Sequence, residues 1–277
     1  MRKLWNLAKW GLTLGSEPQA FLSAKWVERA LNRASGSKKR LWALRLLSLS
    51  PHYFLIPHDA RYSGMSNREY LEAAFRDSAE SREKIYDQII KQYFAPDDRV
   101  LDYGCGPGFL AAVVAKHVKT VYAADISTGA LACARVLNAA PNLQYILADD
   151  SGLSEIEDGS LDVVFSFAVV QHLSDEIFEY VLETCSRKMK SCGKLILHTH
   201  LLDGEWRSED EWKKDRSVQG RLKFRYGLHC FGRTEESHRQ MLEKHGFEQI
   251  EFKDLADVVS EKFDDICEQS LFTAIKS

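Results

Sequence analysis

The sequence predicts an α/β fold with a doubly wound, mostly parallel sheet of seven strands. From residue 96 onward, short apolar runs alternate with helical segments of roughly 10–15 residues, a rhythm typical of βαβ units and a parallel sheet. A glycine-rich turn also joins the first apolar run to a helix, as in sheets that bind nucleotide-like ligands. With 277 residues, 45% hydrophobic and 28% charged, the chain has an ordinary globular composition, which excludes collagen, coiled-coil and wholly disordered classes.

Hydrophobic periodicity places the elements of this sheet. The predicted strands are 99–103, 120–124, 143–147, 161–166 and 194–199, with two more near 248–253 and 270–275. The predicted helices around them are 109–117, 128–138, 174–190 and 234–245. Because helices separate successive strands, the first five strands are expected to run parallel.

Two segments fall outside this alternation. Residues 1–95 are predicted to form a helical arm or cap in front of a domain that spans 96–277. The predicted helices of the arm are 3–14, 18–33, 39–48 and 66–94, the last divided by a polar stretch from Asp77 to Glu83. Residues 201–232 fit no strand pattern and are predicted to be a cap insertion after the fifth strand. Substrate specificity is expected to reside in these two segments.

Charge is distributed unevenly along the chain. Residues 1–50 hold 10 Lys or Arg, 2 Asp or Glu and four of the six Trp, so their net charge is +8. Because the whole chain has a net charge of −3, the remaining residues carry a net charge of −11. Three interpretations of this basic arm remain open: a packed cap, an interfacial helix on an anionic membrane, or a nucleic-acid contact. The acidic main body argues against nucleic acid.

The spacing of the cysteines and the hydropathy of the chain predict neither a structural metal site nor a transmembrane helix. The six Cys are scattered without a C-x-x-C pair, which argues against a zinc site and fits a reducing compartment. No run of 18 apolar residues occurs, and Lys9 interrupts the apolar start, so neither a spanning helix nor a signal peptide is expected. We therefore expect a cytoplasmic protein, with peripheral membrane contact through residues 1–50 as an open alternative.

The most informative stretch runs from Val100 to Ala115 and reads VLDYGCGPGFLAAVVA. An apolar strand leads into Gly104, Gly106 and Gly108, and a helix follows, so that unpaired backbone N–H groups can contact a ligand. The G-x-G-x-G spacing differs from the dinucleotide pattern G-x-G-x-x-G, and no G-K-[ST] follows as in a Walker loop.

Two acidic residues restrict the chemical class of the ligand further. Asp102 ends the first strand, where a fixed carboxylate repels a pyrophosphate and favours a cationic or amino-bearing group. Asp125 ends the second strand, where an acid can accept both ribose hydroxyls, although it could also serve only as a helix cap before Ser127. S-adenosylmethionine carries a ribose, an amino group and a sulfonium. The pattern therefore predicts S-adenosylmethionine as the cofactor.

The block from Asp98 to Thr199 resembles the class I S-adenosylmethionine-dependent methyltransferases, most closely the type 11 group of small-molecule enzymes. The matching motifs, in family order, are VLDYGCGPG, AADIS, ADDSGL and DGSLDVVFSFAVVQHL. The resemblance implies a Rossmann-like methyltransferase fold. The chain departs from the family between Leu153 and Ile156, where Leu-Pro-Phe is common, and this departure bears on the adenine contacts.

The resemblance also implies cofactor contacts along the first two strands. Gly104, Gly106 and Gly108 pass under the methionine part of the cofactor. Asp102 holds the loop and orients the cofactor's amino group, while Asp125 binds the ribose hydroxyls.

The remaining implied contacts surround the adenine and the methionine end. Ile126 lines the adenine, Asp149 accepts from its amino group, and the Asp150 backbone N–H meets a ring nitrogen. Phe167 borders the methionine end. For Asp149 and Asp150 the simpler alternative is that they cap a turn.

His172 is the candidate catalytic base. It follows the fourth strand at the carboxyl edge of the sheet, where ligands bind in this fold, and an ordinary histidine pKa suits proton removal near neutral pH. The alternative is that the QHL segment only packs the next helix. The other histidines lack metal-ligand spacing, so no metal is expected.

The sequence therefore predicts an S-adenosylmethionine-dependent methyltransferase that acts on a small-molecule or lipid-like acceptor, at oxygen if His172 is the base. The alternatives are an RNA methyltransferase that uses the basic arm and a non-catalytic cofactor-binding module. The fourth strand is followed neither by an Asn/Asp-Pro-Pro-Tyr/Phe segment nor by a Cys, which argues against methylation of nucleobases. The intact glycine loop and its acids argue against a non-catalytic module.

Overall fold

One seven-stranded sheet forms the centre of the structure and confirms the predicted fold class. The computed structural model describes residues 25–48, 60–149, 151, 153–199, 201, 207–218, 220–221, 229–259 and 269–277. The strands are β1 Arg99–Tyr103, β2 Thr120–Asp125, β3 Leu143–Leu147, β4 Leu161–Phe167, β5 Met189–Thr199, β6 Phe247–Asp254 and β7 Ser270–Lys276. The predicted helix over 3–14 and the predicted adenine contact Asp150 lie outside the described residues.

The strand order positions a ligand crevice. It reads β3-β2-β1-β4-β5-β7-β6, with β1 to β5 parallel and β7 antiparallel to both of its neighbours. The direction of winding reverses between β1 and β4. In open α/β sheets a ligand binds at such a reversal, outside the carboxyl ends of the strands.

The central strands bury side chains on both faces, which explains their continuous apolar runs. Successive strand residues point to opposite faces, and in β1 Val100 and Leu101 belong to two separate hydrophobic clusters. Val163 and Val164 of β4 divide in the same way, and all four are essentially buried. The core therefore lies in two layers, one on each side of the sheet.

The helices that cover these layers begin at well-formed caps. In the described part of the chain they are α1 Lys25–Arg33, α2 Ser37–Leu47, α3 Asn67–Ile85, α4 Phe109–Val114, α5 Thr128–Leu137, α6 Asp175–Lys188, α7 Glu209–Lys214, α8 Glu235–Lys244 and α9 Leu255–Val258. Ser66 and Glu69 form a capping box at α3, and Ser127, Ser174 and Thr234 accept a backbone N–H at the starts of α5, α6 and α8. Among these residues no helix is both long and apolar enough to cross a bilayer.

Helix α3 runs unbroken through the polar stretch, so the predicted division between Asp77 and Glu83 is wrong. The stretch contains neither Gly nor Pro, and its polar side chains find partners on neighbouring elements. Glu83 pairs with Lys116 after α4, and Asp77 accepts from the Tyr62 hydroxyl at 2.5 Å. Polarity alone therefore does not end a helix whose other face is packed.

The described part of the basic arm packs as a cap. Helices α1 and α2 lie against α5, the helix that follows β2, and Leu31, Leu44 and Leu47 are buried at this contact. Trp42 remains 44% exposed on α2, with the Arg45 guanidinium 5.8 Å from its ring. The arm thus combines a buried apolar face with a basic surface that carries an exposed aromatic side chain.

The described part of the insertion is held by a buried tryptophan. Trp212 on α7 is 7% exposed, and its indole N–H donates to the Cys230 carbonyl at 3.0 Å. Arg207 and Phe231 form an isolated bridge at the two ends of this segment. The insertion therefore returns the chain to the sheet at residues 229–233.

Candidate active site

The glycine loop between β1 and α4 requires glycine at its turns. Gly104, Gly106 and Gly108 have positive φ angles of 81°, 53° and 76°, a region that other residues seldom adopt. A Cβ on Gly104 would lie 2.5 Å from Val169, and one on Gly108 would collide with the Tyr145 hydroxyl. The glycines thus allow the loop to approach both the turn after β4 and the end of β3.

Asp125 holds this loop from the end of β2. Its carboxylate accepts from the Gly106 and Ser127 N–H groups, both at 2.8 Å, while Gly104 and Cys105 donate to the Ala124 carbonyl. Burial raises the pKa of Asp125, and the two N–H donors partly offset that effect. The side-chain cap of α5 is Ser127, so Asp125 is not needed in that role. Its remaining oxygen lone pairs stay able to accept ribose hydroxyls.

Asp102 lies deeper beneath the loop and is 3% exposed. Burial and the charge of Asp125 raise the pKa of Asp102 to about 8, against the lowering effects of the Ala111 N–H and the Arg82 guanidinium. Burial lowers the pKa of Arg82 on α3, and the charge of Asp102 partly offsets that effect. A buried acid and a guanidinium that influence each other electrostatically suit a ligand that brings an ammonium and a carboxylate, as an α-amino-acid group does.

The residues predicted to contact the adenine are more exposed to solvent than Asp102. Ile126 is 55% exposed although it is a large apolar residue, which suits a side chain awaiting an aromatic ligand. Asp149 is exposed and accepts the Ser151 N–H at 2.9 Å, and this hydrogen bond lowers its pKa. Asp149 therefore forms a turn cap in the described chain, and its adenine contact stays a prediction.

Phe167 ends β4 in a constrained position. Its ring stacks on His198 of β5 with centroids 3.8 Å apart, and the Ala168 N–H donates to the His198 Nδ1 at 3.0 Å. Ala168 has a positive φ of 60°, which is unusual for a residue with a side chain and typical of functional turns. The backbone just beyond Phe167 is thus fixed at the crevice between β1 and β4.

His172 lies on the 3₁₀ turn Val170–His172, directly after Val169, which faces Gly104. Its Nδ1 lies 2.8 Å from the His229 carbonyl oxygen, which can only accept, so the proton is on Nδ1 and the Nε2 keeps its lone pair. Burial lowers the pKa of His172, so the ring is neutral at pH 7. No hydrogen bond to Nε2 occurs among the described residues. The role of His172 as the catalytic base stays a prediction.

Three site residues escaped the sequence analysis. Arg82 reaches Asp102 from α3, and Arg233 binds the turn that carries His172. Gln171, on the same turn, is 5% exposed and its Oε1 accepts no hydrogen bond within the described structure. Arg82 and Arg233 belong to no short motif and act on residues at least 20 positions away. Gln171 lies within the fourth family motif, but only its burial in the fold singles it out.

The sequence predicts no metal site. In the described part of the chain, no group of three or more His, Cys, Asp or Glu is placed to hold a metal ion. None of the five cysteines there forms a disulfide. The crevice thus presents carboxylates, backbone N–H groups and one neutral imidazole as its chemical groups.

Comparison with known proteins identifies a methyltransferase domain. Residues 101–197 match the model of a methyltransferase domain. The chain is 34% identical to the ubiquinone biosynthesis O-methyltransferase of Paracidovorax citrulli over 104 residues, which cover 36% of this chain and 43% of that protein. It therefore spans less than half the length of this curated relative.

Two solved structures share the fold. Phosphoethanolamine N-methyltransferase 2 of Haemonchus contortus, with S-adenosylhomocysteine bound, superimposes at a TM-score of 0.53 with 20% identity over 75% of this chain and 58% of that one. Geranyl diphosphate C-methyltransferase of Streptomyces coelicolor, also with S-adenosylhomocysteine, gives 0.53 with 14% identity over 91% and 98%. Residues 101–197 therefore form a methyltransferase domain with the fold of these enzymes, and its cofactor is S-adenosylmethionine.

Proposed function

We propose that this protein transfers the methyl group of S-adenosylmethionine to a hydroxyl of a small-molecule or lipid-like acceptor. The observation that carries the proposal is the hydrogen bond from His172 to the His229 carbonyl, which leaves the Nε2 lone pair for a proton, on a turn whose preceding residue Val169 faces Gly104 of the glycine loop. A neutral imidazole at that place can take the proton of an attacking hydroxyl.

The chain's residues divide the work of binding the cofactor. Asp125 receives the ribose hydroxyls, Asp102 receives the amino group, and Arg82 receives the carboxylate of the methionine part. When bound, S-adenosylmethionine supplies a methyl group that is already activated by its sulfonium. The protein therefore gains most of its rate from alignment of the acceptor, a contribution that reaches about 7–11 kcal/mol in well-oriented systems.

An oxygen acceptor is favoured by the base. A hydroxyl must lose a proton during the transfer, whereas a neutral amine can lose it afterwards. The names of the similar proteins include an O-, an N- and a C-methyltransferase, so the family alone leaves the acceptor atom open. The base therefore supports the choice of oxygen more directly than the relatives do.

A lipid-like acceptor is supported by the basic arm. Residues 25–48 contain seven Lys or Arg and one Glu, and Trp42 is exposed on the same helix pair. Basic residues with an exposed Trp suit the surface of an anionic membrane. We expect sedimentation with vesicles that contain an anionic lipid, weakened by Trp42→Ala but not by Tyr180→Ala, which removes an exposed aromatic from α6. Equal sedimentation of all three proteins would contradict this part of the proposal.

Methyl-labelled S-adenosylmethionine tests the activity on a panel of phenols, polyprenyl phenols, amines and carboxylic acids. We expect labelled methyl ethers, and a loss of turnover of about 100-fold or more in His172→Gln, with cofactor affinity kept. His117→Gln is the matched control, because His117 is exposed and stacks on Tyr86 away from the loop. Unchanged turnover in His172→Gln would contradict the role of His172 as the base. Labelling of amines alone would contradict the proposal that the acceptor is a hydroxyl.

A further inference from the structure

Arg233 is a buried arginine that the cofactor chemistry does not use. It is 3% exposed and follows the insertion directly. Its Nη1 donates to the Val170 carbonyl at 3.0 Å, its Nη2 donates to the Leu173 carbonyl, and its Nε donates to Asp175 at 2.7 Å. These three partners lie on both sides of His172, so a single guanidinium spans the turn that carries the base.

The residues just before Arg233 bind the same turn. The Phe231 N–H donates to the Gln171 carbonyl at 2.8 Å, and the His229 carbonyl accepts from His172 Nδ1 at 2.8 Å. Each of the four residues 170–173 is therefore bonded to the strap formed by residues 229–233. Three of the turn's four carbonyls accept a hydrogen bond from this strap, and the imidazole donates to it.

The guanidinium suits this place better than an ammonium would. Its planar fork reaches two carbonyls and a carboxylate at once, and it lies 5.1 Å from the centre of the Phe178 ring. The Asp175 side chain is 70% exposed, so water weakens this ion pair and the two carbonyl bonds carry most of the constraint. A lysine carries its three donors on a single nitrogen, so it cannot place them at the three separate positions that Nε, Nη1 and Nη2 occupy here.

We propose that Arg233 is a positioning residue, which holds the turn of residues 170–173 so that His172 keeps its proton on Nδ1 and presents Nε2 to the acceptor. This inference rests on the proposed role of His172 as the base. Because the strap ends the insertion, the same contacts tie the arrangement of the insertion to that of the base. Fixing the tautomer of a catalytic histidine through its second nitrogen is a known route to efficient proton transfer.

Histidine ¹⁵N NMR tests the proposal directly, since the two ring nitrogens have different shifts in the two neutral tautomers. The spectrum of His172→Gln assigns the His172 signals among the nine histidines. In the wild type we expect one tautomer with the proton on Nδ1. In Arg233→Lys we expect a mixture of both tautomers and a turnover at least tenfold lower, with cofactor affinity changed less than twofold.

Arg239→Lys is the matched control, because Arg239 likewise donates to a carbonyl, that of Ile250, and to a carboxylate, Glu235, but is remote from the turn. It should leave the His172 signals unchanged. A folded Arg233→Lys protein with the wild-type tautomer would overturn the proposal. If that variant does not fold, Asp175→Ala replaces it, since it removes the Nε partner alone, and a smaller shift in the same direction is required.

The NMR readout separates this proposal from the proposed function. A mixture of tautomers in Arg233→Lys, together with full turnover in His172→Gln, would refute the role of His172 as the base but support the positioning role of Arg233. The opposite result, a single tautomer in Arg233→Lys and an inactive His172→Gln, would refute the positioning role of Arg233 but support His172 as the base.

Discussion

Asp102 is a residue whose pKa departs far from its ordinary value. Its pKa is about 8 in the folded chain against a usual 3.8, because it is buried and faces the charge of Asp125. Between these two pH values the folded state holds a proton that the unfolded state has lost. The free energy of unfolding therefore falls as pH rises from about 4 to about 8. The site thus carries a stability cost at neutral pH, which a cationic ligand relieves.

Asp102→Asn should consequently stabilise the free protein and weaken cofactor binding. The gain in melting temperature over the wild type should be small at pH 5, grow with pH and level off above pH 8. The affinity for S-adenosylmethionine should fall about tenfold or more, because a charge-assisted hydrogen bond is lost. Melting curves at several pH values and calorimetry measure both effects. A gain that does not vary with pH would contradict the raised pKa.

At the scale of elements, the glycine loop depends on both its dihedral angles and its clearance. Gly108→Ala adds a methyl group against Tyr145 at a φ of 76°, whereas Gly159→Ala meets no atom within 4 Å at a similar φ of 65°. The second variant therefore reports the dihedral strain alone, about 1–2 kcal/mol. Gly108→Ala should cost more than this and should also weaken cofactor binding. Equal destabilisation by both substitutions, measured by urea unfolding, would refute the close approach of the loop to β3.

Local patterns predicted most of these elements. The strand from Arg99 to Tyr103, the glycine loop and the acids that end β1 and β2 follow from spacing within a few residues, and the sheet has them where they were expected. Helix α3 shows where local reasoning failed. Its polar stretch was read as a break, but partners such as Lys116 and Tyr62 stabilise it from elements that are remote in sequence.

The same distinction applies to the site. Arg233 and His172 are 61 positions apart, and only the return of the chain after the insertion brings them together. The pairing of Arg82 with Asp102 likewise depends on how α3 packs beside β1. Cofactor-binding motifs are local and readable, whereas the residues that position the base and select the acceptor depend on tertiary contacts.

For the whole molecule, the uneven charge now has a structural meaning. The acidic body contains the sheet, with Asp102 and Asp125 at the cofactor loop. The basic helices α1 and α2 pack on α5, which follows directly from Asp125 through its cap Ser127. The arm is thus joined to the helix that follows Asp125, and among the described residues of the arm Trp42 stays exposed. Packing on α5 and contact with an anionic membrane are expected to use opposite faces of α1 and α2.

Calorimetric titration with S-adenosylmethionine and S-adenosylhomocysteine tests the central claim, that the loop held by Asp125 is the cofactor site. We predict one binding site per chain for the wild type and no measurable binding for Asp125→Ala, with Asp98→Ala as a control carboxylate at the opposite end of β1. Absence of binding to the wild type, or equal affinity of Asp125→Ala and the wild type, would contradict the account.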